Sequence, residues 1–452
     1  MTLSPPRRRL LCAAGFVSNF DRFSIAPMLL LIGSGLGVPL GTAALAASAY
    51  TLGYGLAQPF WGMASDRYGR VRVMRLSLAA AALGALSSAV TPDAASLVVV
   101  RGLTGACFAA AIAGSLTYVG DTVAPAERQR ALSSLMSAFA LGTALATVVA
   151  GVLAHWVSWR LVFALPGLLA GYLAWALRRL PEPALAPREG GALRTVVRSR
   201  WQWYVMGVAL LEGGVLLGCF TYLPPALESL GAAPATAGAV AALYGAAAMG
   251  GAQVVRRPAR RLGPVTLIVV GGAQVTLAYA VAAVHPSLVT LGVSAVLLGG
   301  GWAFLHSTVQ AWATLLVPRA RASGIALFGV ALYLGSALGT GLASGAAQQG
   351  AFQGLFTVAA ILAVPLTALA AYGRRRYGRD GGDDVRGGER TGDGARGGGG
   401  TRDRVGTRDE ARSGDEARSG DGCPPRRERS RRAADRRPSD PRTVRPARAR
   451  RR

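Results

Sequence analysis

Four apolar stretches of this 452-residue chain carry polar or ionisable side chains at a depth where water is scarce. The first reads Asn19-Phe-Asp21-Arg22-Phe, the second Leu97-Val-Val-Val-Arg101-Gly and the third Leu-Leu-Glu212-Gly-Gly, while the fourth holds His306, Gln310 and Thr314 at four-residue intervals. A charge at the centre of a hydrocarbon layer costs on the order of 3 kcal/mol by insertion scales, so each charged group needs a partner or a wet cavity. The chemistry open to such a set is the handling of protons and polar solutes. A carboxylate withdrawn from water favours its protonated form, an imidazole changes charge near neutral pH, and a guanidinium stays cationic and pairs with anions. Asp21 and Arg22 are neighbours and project about 100° apart on a helix, so both cannot face lipid cheaply. His306, Gln310 and Thr314 share one helix face. For Asp21 and Glu212 the alternatives are a place in a central cavity, a structural ion pair or an interfacial position; for Arg101 they are function or helix packing; for His306, proton carriage or a satisfied packing position.

The elements that must position these residues follow from composition. Half the residues (51%) are apolar and only 16% are charged, a balance that suits a bilayer better than water for a chain of this length. All 49 basic residues are Arg. Runs of about 20 apolar residues fall near 11–33, 42–61, 74–91, 96–118, 133–154 and 160–178, and again near 203–224, 236–255, 264–284, 290–314, 323–345 and 352–372. The first run follows Arg7, Arg8 and Arg9 as in a signal peptide, but so many further spans follow that it reads as a first span. The Pro- and Gly-containing stretch between the two sets reads as a linker. The expected organisation is therefore a cytoplasmic N-terminus (1–10), a six-helix half (11–178), a linker (179–202), a second six-helix half (203–372) and a disordered Arg/Gly/Asp-rich tail (373–452).

Charge tests the span count independently. Counted along the sequence, 24 Arg precede the tail, and all but Arg22, Arg101 and Arg160 fall in the N-terminus, the linker, or the even-numbered connections and their edges. Such alternation is what twelve spans with both termini in the cytoplasm require. The tail holds 25 Arg interleaved with 14 acids, which reads as a solvated low-complexity segment in preference to a nucleic-acid or lipid-binding arm. No Lys exists anywhere, so a phosphate-binding loop ending in Lys is excluded. Cys12, Cys107, Cys219 and Cys423 lie far apart and define neither a metal site nor a disulfide framework.

The connection between the second and third spans reads Gly62-Met-Ala-Ser-Asp66-Arg67-Tyr-Gly69-Arg70-Val-Arg72. This loop resembles the signature of the major facilitator superfamily, with Val71 where a second adjacent base is common. The resemblance implies that Gly62, Asp66, Arg67, Gly69, Arg70 and Arg72 form a cytoplasmic gating motif. Asp66 is expected to accept hydrogen bonds at a helix N-terminus, and Arg70 to pair with Asp121 at the end of the fourth span. The matching loop of the second half, Arg256-Arg-Pro-Ala-Arg-Arg-Leu-Gly263, keeps the bases and the Gly but lacks the Asp. Arg101-Gly-Leu-Thr104-Gly105 resembles the family's membrane-embedded Arg motif, with Thr104 where Gln is usual. The run His306-Ser-Thr-Val-Gln310-Ala-Trp-Ala-Thr314 followed by Pro318-Arg-Ala-Arg321 resembles predicted efflux permeases of the twelve-span, drug-proton antiporter-like branch. One departure counts against antiport: the fifth span has Ala146-Thr147 through Ala150-Gly151 where that branch carries Gly-Pro and Gly-Gly, although Gly142 and Gly151 still permit close helix approach.

The resemblance implies an all-α membrane protein of the major facilitator fold, with twelve helices in two pseudo-symmetric halves and the solute near the midplane between them. It implies a monomeric alternating-access carrier of the plasma membrane that binds a small solute and protons, sits among lipids, and needs no cofactor, metal or nucleic acid. Export of a drug-like compound or metabolite is the preferred direction, with proton-linked uptake of a nutrient as the alternative. A sensor or enzyme on the same scaffold is the reading from another class; no catalytic set is visible, since His155, His285 and His306 are scattered. Asp21, Arg22, Arg101, Glu212, His306 and Gln310 are the candidates for the solute or proton pathway.

Overall fold

A computed structural model describes residues 5–183, 198–255, 262–316 and 321–394. Every regular element among them is helical. The membrane helices are α1 (Pro6–Leu36), α2 (Leu40–Tyr68), α3 (Arg70–Ala89), α4 (Ala94–Thr122), α5 (Pro125–Trp156), α6 (Trp159–Arg179), α7 (Arg200–Ser229), α8 (Pro234–Val255), α9 (Pro264–Val284), α10 (Leu288–Leu316), α11 (Arg321–Gln348) and α12 (Phe352–Gly394). They correspond one to one with the twelve apolar runs. Eleven are long and apolar enough to cross a membrane by composition; α2, with 29 residues, has the length, but Thr42, Ser48, Tyr50, Thr51, Tyr54 and Gln58 dilute its apolar character.

Several ends have identifiable stops and starts. Asp93 begins α4 by accepting the Ser96 N–H at 2.9 Å, and Ser287 and Thr290 form a reciprocal capping box at the start of α10. The α2–α3 corner turns at Gly69, whose φ of 104° lies where a side chain would be strained. The chain of α1 bends around a 3-10 turn at Ala26–Met28, where Pro27 cannot donate a backbone hydrogen bond.

One feature departs from the expectation for the tail. α12 does not end near Tyr372 but runs to Gly394. Residues 395–452, most of the linker, and Arg256, Arg257, Arg260, Arg261, Pro318 and Arg319 lie outside the described residues.

Within the first half α1 packs on α4, α5 and α6, and α3 on α4 and α6; within the second, α7 packs on α11 and α10 on α8 and α9. The halves meet along two seams, α2 with α11 and α5 with α8. The second seam is backbone against backbone: a Cβ on Gly151 would fall onto the carbonyl of Pro234, and Gly142, on the same helix, lies against the backbone of Phe16 on α1. The first seam is tied by Ser48, whose hydroxyl donates to the Ala337 carbonyl at 2.7 Å.

Candidate functional site

Asp21 lies on α1 and Arg101 on α4, and the two are completely buried. Arg101 Nη1 donates to Asp21 Oδ1 at 3.1 Å and Nη2 to Oδ2 at 3.0 Å, with a further 3.1 Å bond from Nη2 to the Asp21 carbonyl. Such a two-pronged, charge-assisted contact is among the stronger that side chains make. The rings of Tyr50 and Phe163 cover the guanidinium, each centroid 4.5 Å away. Ser18 and Asn19 anchor this stretch of α1 by donating to the carbonyls of Phe108 and Phe139. Thr104, at the position where Gln was noted as usual, donates to Val100 on its own helix and takes no part in the pair.

Arg22, one residue on, points the other way, into the seam between the halves. Its guanidinium donates to the Tyr333 hydroxyl of α11 at 2.5 Å and lies 4.4, 5.5 and 5.2 Å from the ring centroids of Phe23, Tyr54 and Tyr333. No carboxylate pairs with it among the described residues. A cavity of about 40 Å³ opens beside it, lined by Arg22, Phe23, Thr51, Phe220, Tyr333 and Ser336 among others, room for a water molecule or so. A much larger recess, of about 530 Å³, lies between α9 and α12, but its lining is apolar apart from Thr276 and Thr367, whose hydroxyls are already bonded within their own helices. The smaller cavity at the seam, by contrast, holds the polar side chains of Arg22, Thr51, Thr221, Tyr333 and Ser336.

In the second half Glu212 on α7 meets His306 on α10, with Nδ1 and Oε1 3.0 Å apart. Glu212 is fully buried and His306 nearly so. The imidazole stacks flat on Trp302, the centroids 3.7 Å apart at 16°, and the Phe328 ring lies nearby, its centroid 5.7 Å away. Glu212 Oε2 has no hydrogen-bond partner among the described residues. Both helices leave α geometry beside the pair: Gly213–Gly218 follows Glu212 as a π-helix, and Trp302–His306 is a second one ending on the imidazole. Runs of glycine, Gly213-Gly214 and Gly299-Gly300-Gly301, adjoin the two segments and lower the preference for regular helix; π segments of this kind occur often at functional sites. Gln310, one turn beyond His306, is exposed, and Thr314 donates to the Ala311 carbonyl of its own helix, so neither reaches Glu212.

At the α2–α3 corner Arg70 joins two helices: it bonds Asp66 in the last turn of α2, and its Nε donates to Asp121 Oδ2 near the end of α4 at 3.1 Å. Asp66 therefore faces Arg70 and not a helix N-terminus. The N-terminus of α3 is capped by Glu182, which lies just past α6 and accepts from the backbone N–H of Val71 at 2.9 Å and of Arg72 at 3.1 Å. Tyr118 of α4 holds the same segment by donating to the Pro181 carbonyl at 3.1 Å. Arg67 lies over the Tyr68 ring, 5.3 Å from its centroid, and Gly62 has open space around it.

Sequence reasoning treated Asp21, Arg101, Glu212 and His306 as separate candidates; the fold joins them into two pairs. Glu182 was given no role, and its only sequence signal was that it is one of two acids, with Glu189, in an otherwise basic segment.

A family model described as Major Facilitator Superfamily matches residues 11–340 and 225–392. An uncharacterized MFS-type transporter of Bacillus subtilis, YybF, is 24% identical over 221 residues, 47% of this chain and 54% of that protein. The 3-(3-hydroxy-phenyl)propionate transporter of Escherichia coli is 34% identical over 125 residues, 27% of this chain and 31% of its own length. The chain thus spans about half, or less, of the curated relatives it matches. Among solved structures the nucleoside transporter NupG superposes with a TM-score of 0.68 at 14% identity, covering 81% of this chain and 99% of that one, which is a likeness of fold.

Proposed function

The chain belongs to the major facilitator superfamily, and from that premise we propose that it is a proton-coupled secondary transporter, moving a small solute by alternating access between its two halves. The observation that carries the proposal is the Glu212–His306 pair, a buried acid joined to a titratable ring by a single contact, with one carboxylate oxygen free. A proton gained or lost there changes the charge of the core, whereas the Asp21–Arg101 pair has no free carboxylate oxygen with which to do so. In this reading Glu212 and His306 take up and release the proton, Asp21 and Arg101 hold α1 against α4, and Arg22 at the seam meets the solute. Gln310 lies on the path leading to His306. The α2–α3 corner, with Gly62, Asp66, Arg67, Gly69, Arg70, Arg72 and Asp121, gates the cytoplasmic side, and the protein sits in the plasma membrane with both termini in the cytoplasm.

Export is the direction favoured by the resemblance of the α10 run to efflux permeases. A second reading, proton-linked uptake, is favoured by the cationic seam at Arg22 and by the relative named for 3-(3-hydroxy-phenyl)propionate. Reconstitution in vesicles with a trapped pH indicator separates the readings. Solutes that drive protons inward alongside them support uptake, and solutes exchanged against protons support export. Proton movement that is unchanged in Glu212→Gln removes the coupling assignment. A reporter fused after Tyr372 should be active on the cytoplasmic side, and activity only outside the cell overturns the topology.

A further inference from the structure

We propose that the seam cavity is a site for an organic anion, a carboxylate carried on an apolar or aromatic body, with Arg22 as the group that binds the carboxylate. The proposal rests on the transport reading, and it names the class of solute. A guanidinium offers five N–H donors in a planar fork. Of these, one bond, to Tyr333, is made among the described residues. The nearby Arg101 shows what the fold does with an arginine that is purely structural: it buries the group fully and gives it both oxygens of an aspartate. Arg22 instead keeps its charge uncompensated beside a cavity, against Phe23, Tyr54 and Tyr333. An arginine held at membrane depth without an anion of the protein's own is stable when a ligand supplies one, and the fork geometry matches a carboxylate in two-pronged fashion.

The surroundings select the rest of the ligand. Phe23 and Phe220 line the cavity, Tyr244 stands beside them with ring centroids 6.3 and 4.5 Å from theirs, and Tyr244 in turn touches Trp302, the ring stacked on His306. An aromatic or branched apolar body fits this wall, while a lipophilic cation would meet the like charge of Arg22. The present cavity of about 40 Å³ is smaller than such an acid. Entry therefore requires the α2–α11 seam to part, carrying Tyr333 away from Arg22 and freeing the donor that Tyr333 now occupies. The unbound pair is thus a stand-in for the bound one: a weak hydroxyl acceptor where the solute brings a carboxylate.

Equilibrium binding to the purified full-length chain in detergent, read by calorimetry and by the shift in melting temperature, tests this. The probes are 3-phenylpropionate, its neutral amide, and tetraphenylphosphonium as a lipophilic cation. The acid should bind at least about tenfold more tightly than the amide, since the amide leaves the desolvated guanidinium without a counter-charge, and the cation should not compete. Arg22→Gln should lose that preference while melting no lower than the native chain, because it removes an unpaired charge; Arg22→Lys should retain part of it. Amide or cation binding as tight as the acid, no binding of the acid at millimolar concentration, or full acid preference in Arg22→Gln would each overturn the proposal. Acid binding by a protein that shows no proton-coupled flux keeps this inference and removes the coupling; coupled flux of a cation without acid binding does the reverse.

Discussion

Helices α1 and α4 of the first half have α7 and α10 as their counterparts in the second, and each pair buries one carboxylate against one nitrogen base. Asp21 and Glu212 are treated in opposite ways. Asp21 gives both oxygens to an arginine that is always charged, and two aromatic rings close over the contact. Glu212 gives one oxygen to a histidine, keeps the other without a partner, and sits where two helices have loosened into π geometry. The difference teaches that a duplicated scaffold can fix charge in one copy and leave it exchangeable in the other. On the proposed reading the first half supplies a rigid electrostatic frame and the second the group whose protonation varies.

The strongest way to break this comparison is Arg101→Ala. Removing one partner of a buried pair strands the other, so stability should fall by about 3–5 kcal/mol, read as a large drop in the melting temperature of purified protein and in the amount inserted. His306→Ala should cost far less, because it removes one contact from a carboxylate whose other oxygen already has no partner among the described residues. Equal losses in the two variants would erase the distinction between a fixed and an exchangeable pair.

Glu212→Gln and Asp21→Asn sharpen it in function. Glu212→Gln should lower accumulation driven by an imposed pH gradient to the level of empty vesicles while leaving solute exchange measurable and stability within about 1 kcal/mol of native. Asp21→Asn should fail differently, by poor insertion and low thermal stability, with coupling retained in whatever protein folds. Full gradient-driven transport by Glu212→Gln would move the exchangeable group elsewhere.

Smaller effects are expected outside the membrane. Glu182→Ala removes the acceptor for two backbone N–H groups at the start of α3, and the loss should be near 1 kcal/mol, as for other N-terminal caps; a change in transport rate larger than the change in stability would tie this residue to the gate. Smallest of all is Asp93→Asn. The Ser96 backbone N–H, followed by the Ser96 hydroxyl, holds the Asp93 carboxyl below its ordinary value. Its contribution is therefore present above the ordinary carboxylate range and is lost as pH falls through the lowered value. The variant should flatten the acid limb of a melting-temperature profile slightly and leave the neutral range unchanged.

The twelve helices were legible because two independent signals coincide: apolar runs of spanning length, and Arg residues that recur on alternate connections. The pairs were not. Asp21 and Arg101 are 80 residues apart, Glu212 and His306 are 94 apart, and no periodicity links them. The direction of Asp21 away from Arg22 was implied by the 100° step, but which helix each would meet depends on packing between elements. The expected alignment of Gln310 with His306 holds along one helix face and still separates in burial, because the π segment ends on His306 and Gln310 emerges a turn later. Glu182 escaped notice because capping of a helix by a residue 110 positions away leaves no local trace.

Arg22 has a consequence in electrical terms. On the proposed reading the Asp21–Arg101 pair adds no net charge at any stage. With Arg22 cationic and Glu212 ionised, the empty carrier also sums to zero; one proton at the Glu212–His306 pair adds a positive charge, and one monoanion at Arg22 removes it. On the proposed uptake reading, the loaded carrier and the empty one therefore cross the bilayer with the same net charge. A membrane potential does about 2.3 kcal/mol of work per elementary charge per 100 mV, and on these two crossings it finds no net charge on which to act. The two half-loaded forms are charged, positive with the proton alone and negative with the anion alone, and the field drives them in opposite directions. Voltage thus acts on the half-loaded forms, pulling a protonated carrier that lacks its anion toward the negative side, while leaving the two productive crossings untouched.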